Sequence, residues 1–320
     1  MLRIGIWFDA RHCAYGGPTL VLLGTILGLY QDAARRNKPV LILLNEPGDV
    51  NWALDATENL EYVTQKAPNI LIGPACFSSS DVAVKADSLE NHPIWKHLKH
   101  GIVPSMWFGR FISHGLPFLD PKRANGRRLH VWGAGVDVDR FCPGNPSNPS
   151  NGIQKTQDYF IYFKSQRYDD LRAIQAYMFK NYFQFRGNIL SYYSYTPEML
   201  CEAARTSRFC IMIDRTETQG LASLEIMACD CPLFVLDWTE HVYEAEDQIY
   251  KSQGASSVPC MDHRCGMKSS WQDLEQHLPN FLSKLSTYTP REYVLESYSF
   301  EASARKLRTL MDVVSHEETS

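Results

Sequence analysis

Two glutamates and a glycine in the segment 214–237, DRTETQGLASLEIMACDCPLFVLD, have the types and spacing of a ligand site. A buried strand is predicted to end at Asp214, and a polar loop leads to Gly220, where the backbone can approach a ligand closely. The helix that follows directs unpaired N–H groups and the positive end of its dipole at this point, which favours an anion. Glu217 lies in the loop and Glu225 one turn into the helix. Carboxylates on both sides of an anion site suit a ligand that carries phosphate and several hydroxyl groups.

A purely structural role for these residues is the alternative. Gly220 would then only let a helix pack closely against a strand, and Glu217 and Glu225 would be solvated surface charges. Either glutamate alone fits both interpretations equally well. The complete set of two carboxylates, a glycine and a helix start favours the ligand site.

Buried strands and helices alternate along both halves of the chain and must position this segment. In the first half, strands are predicted over 2–8, 39–44, 69–74, 101–105 and 128–132, and helices from Pro18 and over 107–112. In the second half, strands are predicted over 159–163, 188–193, 209–214 and 233–237, and helices over 169–182, 197–204 and 221–229. Strand–helix–strand units at this spacing predict right-handed crossovers and parallel sheets, which bind ligands beyond the carboxyl ends of their strands.

A change of composition divides the chain near its middle. Residues 142–157 are rich in Pro, Asn, Ser and Gly and have no apolar periodicity, which predicts a linker. We therefore expect an α/β protein with two Rossmann-like parallel-sheet domains, over residues 1–146 and 147–299, that face each other across a cleft. That cleft is the default ligand site. A last amphipathic helix is predicted near the C-terminus of the chain, within residues 300–320.

Length, composition and charge exclude several classes of protein. With 320 residues, of which 44% are apolar and 12% aromatic, the chain fits two globular domains and neither a disordered nor a collagen-like protein. The net charge of −4 argues against a basic nucleic-acid-binding face. The N-terminal segment lacks the apolar region of a signal peptide, and no stretch is long and apolar enough for a transmembrane helix. Nine scattered cysteines, an odd number, fit a reducing compartment, so we expect a cytoplasmic protein.

Four motifs, in order along the chain, resemble those of the retaining GT-B glycosyltransferases of family four (glycosyl transferases group 1), of the compact bacterial and viral type. Glu217 and Glu225 reproduce that family's pair of glutamates separated by seven residues. The remaining matches are the Gly16-Gly17-Pro18 turn, the segment VPSMWFGRF (103–111) and the segment GAGVDVDRFCP (133–143). The resemblance spans residues 1–240 and implies the GT-B fold, with a C-terminal helix over 300–320 that crosses back to the first domain.

The resemblance also implies a role for each matching residue. Glu217, the catalytic candidate, would bind hydroxyls of the donor sugar, and Glu225 would bind the ribose hydroxyls of the nucleotide. The donor's diphosphate and sugar would be held by backbone groups in the glycine loop and at the helix start: Gly16, Gly17, Gln219, Gly220, Leu221 and Ala222. Tyr193 or Tyr195 would stack on the base.

Cations are expected around the diphosphate, because the leaving group is doubly anionic. In the family, a basic pair follows the first strand of the second domain, and the matching segment FIYFKSQRYDD offers Lys164 and Arg167. The family's usual Gly-Arg pair is absent there, so solvated charges at a strand end are the alternative. Arg215, beside the glutamate motif, is a third candidate.

The chain departs from the family where many relatives carry an active-site histidine. The segment after the predicted strand 69–74 reads ACFSSSD and has none, and neither His12 nor His92 corresponds clearly. No essential metal and no cofactor are expected. Asp137-Val138-Asp139 imitates a metal-binding Asp-x-Asp but lies in the turn that ends the first domain. Cys260, His263 and Cys265 lack a second ligand pair at zinc-finger spacing.

The sequence thus predicts a retaining glycosyltransferase that moves a hexose from a nucleotide-sugar, with GDP-mannose as the expected donor, to a glycan or glycoconjugate. A sugar-nucleotide epimerase and a non-catalytic protein that binds sugar-nucleotides or glycans are the alternatives, and the missing histidine keeps the second one open. Expected partners are the nucleotide-sugar and the acceptor, without nucleic acid or an integral membrane segment. The oligomeric state stays open between monomer and homodimer.

Overall fold

The computed structural model describes residues 1–9, 17–55, 60–74, 99–113, 128–145, 148–152, 154–164, 168–245 and 248–316. These residues form two compact units. The first comprises the described residues of Met1–Gly135, Val242–Ser252 and Phe300–Ser320, and the second those of Val136–His241 and Gln253–Ser299. The sequence predicts domains with limits at residues 146 and 299. A domain in that sense folds on its own, and these limits stay predictions.

Strands and helices alternate through most of the described chain. The strands are β1 (Leu2–Phe8), β2 (Val40–Leu44), β3 (Val50–Asp55), β4 (Ile70–Ile72), β5 (His100–Val103), β6 (Arg128–Val131), β7 (Gly144–Asn145), β8 (Asn148–Gly152), β9 (Gln157–Phe163), β10 (Gly187–Ser191), β11 (Ser207–Ile213), β12 (Leu233–Leu236), β13 (Glu240–Ala245), β14 (Gln248–Gln253) and β15 (Gly266–Ser269). The helices are α1 (Gly17–Arg35), α2 (Leu60–Lys66), α3 (Met106–Ser113), α4 (Tyr168–Asn181), α5 (Pro197–Thr206), α6 (Leu221–Ala228), α7 (Leu274–Ser283), α8 (Pro290–Ser297) and α9 (Phe300–His316). Among the described residues, no helix is both long enough and apolar enough to cross a membrane.

A six-stranded sheet in the order β2-β1-β3-β4-β5-β6 forms the centre of the first unit. All of its neighbouring strands are parallel. Ile4, Trp52 and Leu71 on its inner strands are completely buried, which is typical of parallel sheets covered on both faces. Two buried indole N–H groups are satisfied by backbone carbonyls: Trp52 donates to Gly73 (2.7 Å) and Trp132 to Ser303 (2.9 Å).

Helices α1 and α9 pack against each other in the first unit through glycines of α1. A Cβ atom at Gly28 would lie only 2.1 Å from the carbonyl oxygen of Phe300, and one at Gly24 would overlap the Phe300 ring. Only a residue without a side chain allows this close approach. Gly24 and Gly28 therefore set how closely α9 approaches α1.

A five-stranded sheet in the order β10-β9-β11-β12-β15 forms the centre of the second unit, and all its pairs are parallel. Alternate residues of its strands face two separate hydrophobic clusters. Tyr162 and Met212 belong to one cluster, and Ile161 and Ile211 belong to the other. The helices thus cover both faces of the sheet and leave its carboxyl edge for the loops that follow the strands.

Each strand predicted from the sequence has a counterpart within three residues at either end, and the two sheets are parallel, as expected. Central strand β3 was missed, because Asn51 interrupts its apolar run. Inside the sheet, the Asn51 side chain bonds the backbone of Gly48, accepting from its N–H (2.9 Å) and donating to its C=O (3.2 Å). The predicted linker 142–157 contains the short antiparallel pair β7–β8.

Candidate functional site

Four neighbouring strands of the second unit end with chemically active side chains at the same edge of the sheet. Tyr192 follows β10, Lys164 follows β9, Asp214 follows β11 and Asp237 follows β12. These strands are adjacent and parallel, so their carboxyl ends meet. The arrangement is a candidate site built from residues that are up to 73 positions apart in the sequence, Lys164 to Asp237.

Lys164 is the central charge of this site. Its Nζ forms an ion pair with the carboxylate of Glu217, lies 4.0 Å from Asp214 Oδ2 and lies 4.8 Å from the centre of the Tyr192 ring. Burial lowers the pKa of Lys164, and the negative charge of Asp214 opposes this shift. The structure therefore brings together two residues that the sequence assigned to one ligand, Lys164 for the diphosphate and Glu217 for the sugar.

Asp214 is a buried acid that the sequence presented only as the end of a strand. Only 5% of its surface is exposed, and burial raises its pKa to about 6 against the opposing charge of Lys164. Its Oδ1 accepts the N–H of Arg215 at 2.7 Å, while Oδ2 has no hydrogen-bond partner among the described residues. An acid directly after the apolar run FCIMI was the available signal, because such a position is desolvated.

A network of serines holds the loop that carries Glu217. The Glu217 N–H donates to the carbonyl of Ser256 (2.9 Å), and Ser256 Oγ donates to Asp237 Oδ1 (2.9 Å). Asp237 Oδ1 also accepts the N–H of Ser257 (2.7 Å), and Lys268 Nζ donates to Ser256 Oγ (2.6 Å). Sequence reasoning missed Asp237, the two serines and Lys268. Asp237, like Asp214, directly follows a buried strand.

Gly220 ends this loop with a backbone conformation that favours glycine. Its φ of 79° and ψ of 67° are left-handed, and it is the residue before the first turn of α6. Its carbonyl accepts a hydrogen bond from Ser223 Oγ (2.7 Å). The helix begins at Leu221, as predicted, so the first-turn N–H groups, which have no acceptor within the helix, lie directly after the Glu217 loop.

Glu225 and Tyr195 form a second part of the site, one turn along α6. Glu225 is half-buried, and burial raises its pKa to about 7, with Arg140 opposing the shift. Burial raises the pKa of Tyr195, and the negative charge of Glu225 adds to the shift; the Tyr195 hydroxyl lies 3.3 Å from that of Tyr162. Tyr195 is thus partly buried against the core near Glu225, and its ring centre lies 6.3 Å from that of Tyr192.

The structure describes some of the other predicted site residues, and the rest lie outside the described ranges. Gln219 is buried, Leu221 and Ala222 are half-buried in the first turn of α6, and the exposed Arg215 side chain contacts no described ion-pair partner. Gly17 is the first residue of α1 in the first unit. Gly16, Arg167, His12, His92 and the side chain of Tyr193 lie outside the described residues.

Within the part of the chain that the structure describes, no group of three His, Cys, Asp or Glu side chains could hold a metal ion. Of the residues weighed as zinc ligands, Cys260 and Cys265 are buried, and Cys265 Sγ donates to Asp262 Oδ1 at 3.6 Å. The expectation that catalysis needs no metal and no cofactor stays a prediction.

Comparisons with known proteins identify the fold. No protein-family model and no curated protein sequence matches the chain. Among solved structures, it is similar to the lipopolysaccharide outer core galactosyltransferase WaaB, with a TM-score of 0.54 and 11% identity over 98% of this chain and 99% of that one. It is also similar to sucrose-phosphate synthase from Thermosynechococcus elongatus, with a TM-score of 0.51 and 12% identity over the same shares. The fold is GT-B.

A third similar structure is the catalytic domain of starch synthase IV from Arabidopsis thaliana bound to ADP and acarbose. Its TM-score is 0.50 with 10% identity, over 94% of this chain and 78% of that one. The fold prediction is therefore confirmed. At this level of identity, the similarity establishes the GT-B fold and leaves the reaction to be argued from the site.

Proposed function

We propose that the protein is a retaining glycosyltransferase that moves a hexose, with mannose from GDP-mannose as the expected case, to a glycan or glycoconjugate acceptor. One observation carries the proposal: Lys164 and Glu217 meet at the carboxyl edge of the second sheet, beside the start of α6. The similar solved structures are named as a galactosyltransferase, a synthase of sucrose phosphate and a starch synthase, which supports sugar transfer.

In this proposal the ion pair opens when the donor binds. The diphosphate takes the place of Glu217 as the partner of Lys164, and the first-turn N–H groups of α6 bind its oxygens. Glu217 is then free to accept hydrogen bonds from hydroxyls of the sugar. The charge of Lys164 and the start of α6 favour breakage of the sugar–phosphate bond, because they stabilise the negative charge that develops on the leaving group.

The carboxylates contribute on the sugar side. As the bond breaks, the sugar ring gains oxocarbenium character, and nearby negative charge on Glu217 and Asp214 stabilises it. We assign no protein nucleophile, since retention in the resembling family is attributed to attack on the face that the leaving group vacates. Glu225 would accept hydrogen bonds from the ribose hydroxyls, and Tyr193 or Tyr195 would stack on the base. The first unit would supply the acceptor site.

Calorimetry and a transfer assay test the proposal together. The full chain is titrated with GDP, UDP and ADP and with their sugar conjugates, and sugar release and transfer to offered glycans are followed by mass spectrometry. We expect GDP and GDP-mannose to bind and the product to keep the α-configuration of the donor, as measured by NMR.

Each alternative gives a distinct result. Binding without hydrolysis or transfer with every acceptor offered would favour a non-catalytic sugar-nucleotide-binding protein. Tight binding of UDP or ADP without binding of GDP would overturn the assignment of the donor only. Unchanged donor binding and turnover in Glu217→Ala would overturn the assignment of the site.

A further inference from the structure

An exposed cluster of aromatic side chains lies on the second unit, at the end of α4 and in the turn after it. The aromatic patch consists of Phe179, Tyr182, Phe183 and Phe185, which line a groove of about 480 Å³ together with Tyr159. Phe179 and Phe183 are each 78% exposed. Two phenylalanines that expose most of their surface within five residues are costly in water, so the patch calls for an apolar partner.

The patch is separate from the candidate site. Tyr159, near the start of β9, lines the groove, whereas Lys164 follows the end of the same strand. Five residues of extended chain separate them, a distance of about 16 Å along the sheet. The patch therefore lies toward the amino edge of the second sheet, and the proposed transfer of sugar makes no use of it.

The charges around the patch are positive. Residues 171–197 contain Arg172, Lys180 and Arg186 and no Asp or Glu, in a chain with 36 acidic residues among 320. Lys180 and Arg186 are exposed, and their side chains form no ion pair with described residues. Arg172 is different, because its guanidinium is paired with Asp169 at 2.6 Å.

The acidic residues nearest to the patch do not cancel this charge. Asp158 accepts the backbone N–H of Arg186 (2.9 Å) and a hydrogen bond from Arg208 Nη1 (3.1 Å). Glu275 lies near Tyr177, two residues before the patch; burial raises the pKa of Tyr177, and Tyr182 and Glu275 add smaller contributions. The two cations Lys180 and Arg186 thus remain available beside the exposed rings.

Three kinds of partner differ in how they satisfy both features. A glycan could bind the polar groups of the groove, such as Arg172 and Gln175, but a neutral glycan gives no partner for the charges of Lys180 and Arg186. A second copy, related by a two-fold axis, would bring Lys180 and Arg186 toward their own counterparts and repel. An anionic lipid surface offers apolar chains for the rings and phosphates for the cations.

We propose that the aromatic patch docks the protein on an anionic membrane surface. Phe179 and Phe183 enter the boundary between headgroups and acyl chains, and Lys180 and Arg186 lie at the lipid phosphates. This is attachment from one side of the bilayer, which requires no membrane-spanning helix.

Flotation of the full chain with lipid vesicles tests this proposal. Vesicles of phosphatidylcholine alone are compared with vesicles of phosphatidylcholine and phosphatidylglycerol, at low and high salt. We expect binding to the anionic vesicles that weakens with salt. Phe179→Ser/Phe183→Ser should reduce the affinity at least about tenfold, and Lys180→Glu/Arg186→Glu should do the same.

Matched variants elsewhere separate the patch from general stickiness. Leu20→Ser/Leu23→Ser removes two exposed apolar side chains of α1, and Lys38→Glu reverses an exposed charge of the first unit. Both should bind vesicles like the unaltered chain, and all variants should keep the unfolding midpoint, because the altered side chains are exposed.

Three results would overturn the proposal. They are absence of binding to anionic vesicles, equal loss of binding in the control variants, and binding of a soluble oligosaccharide that the Phe179→Ser/Phe183→Ser variant loses while vesicle binding stays intact. Nucleotide binding is measured in parallel and should not change, so failure here is distinguishable from failure of the proposed sugar transfer.

Discussion

Lys164 is placed so that removing it leaves two carboxylates facing each other. The change Lys164→Met keeps most of the side-chain volume but removes the cation shared by Glu217 and Asp214. We expect the affinity for a nucleoside diphosphate to fall about tenfold to a hundredfold, because charge-assisted hydrogen bonds are lost. Calorimetry measures the loss. Lys180→Met makes the same change at an exposed lysine outside the site, and equal weakening in both variants would contradict the role of Lys164.

Glu225 makes the stability of the folded chain depend on pH. Burial raises its pKa from an ordinary 4.5 to about 7, so between these values the folded chain binds more protons than the unfolded chain. The free energy of unfolding contributed by Glu225 therefore falls as the pH rises from about 4.5 to about 7. Glu225→Gln should remove this part of the slope in urea unfolding between these two pH values.

Asp214 provides the comparison, since its pKa of about 6 gives a slope of the same direction that ends at lower pH. Asp214→Asn should therefore flatten the curve mainly below pH 6. A Glu225→Gln variant whose pH dependence matches that of the unaltered chain would show that this carboxyl is solvated in the folded state.

Sequence reasoning found the residues of one short motif and, through the family resemblance, Lys164. It missed the acids that follow two buried strands, Asp214 and Asp237, and the residues that tertiary structure brings to them. Glu217, Gly220 and Glu225 lie within nine positions, so their spacing could be read directly. Lys268 lies on β15 and reaches the site because β12 and β15 are neighbours in the sheet. Ser256 lies in the loop before β15 and bonds Asp237, which follows β12. No pattern of neighbouring residues in the sequence predicts that β12 and β15 are paired.

At the scale of elements, the left-handed backbone conformation of Gly220 connects strand β11 and the loop after it to helix α6. In Gly220→Ala, a residue with φ near 79° would be strained, and its Cβ would lie 3.1 Å from Ser223 Oγ. We expect the free energy of unfolding to fall by about 1–2 kcal/mol, and nucleotide binding to weaken as the start of α6 shifts.

Gly17→Ala is the matched control for the loss of stability. Gly17 also starts a helix, yet a Cβ there meets nothing within 4 Å and its φ is not left-handed. Chemical denaturation should show little change for Gly17→Ala. A Gly220→Ala variant as stable as Gly17→Ala, with unaltered nucleotide binding, would contradict the importance of the left-handed turn.

Elements with strong apolar runs were predicted, and polar or very short ones were not. β9 and β11 contain the apolar runs YFIYF and FCIMI, which stood out in the sequence, whereas β15 (GMKS) contains no such run. β15 exists because Gly266, at a φ of 137°, lets the chain pass close to β12, where a Cβ would lie 2.0 Å from the carbonyl oxygen of Leu233. The position of β15 thus depends on this close approach to β12, which no apolar run in its own sequence indicates.

At the scale of the whole molecule, a net charge of −4 hides the few cations that would bind an anionic donor. Lys164 and Lys268 lie among Asp214, Glu217 and Asp237, so the local charge is close to balanced before a ligand arrives. A doubly anionic diphosphate must therefore compete with carboxylates that already belong to the site. A ligand that also brings hydroxyl groups gives the displaced carboxylates new hydrogen-bond donors. The competition therefore favours such a ligand over inorganic phosphate.

The competition between the diphosphate and the carboxylates can be measured by hydrogen exchange, because the candidate site lies within one of the two compact units. GDP at a hundred times its dissociation constant should stabilise the unit that binds it by about 2.7 kcal/mol. Because the candidate site consists of residues of Val136–His241 and Gln253–Ser299, we expect slowed amide exchange in these ranges, strongest at the start of α6 and at Ser256–Ser257. Inorganic phosphate at the same concentration should protect them far less, and Lys164→Met should abolish the difference between the two ligands. Protection by GDP that is confined to the first six-stranded sheet would place the nucleotide site in the other unit.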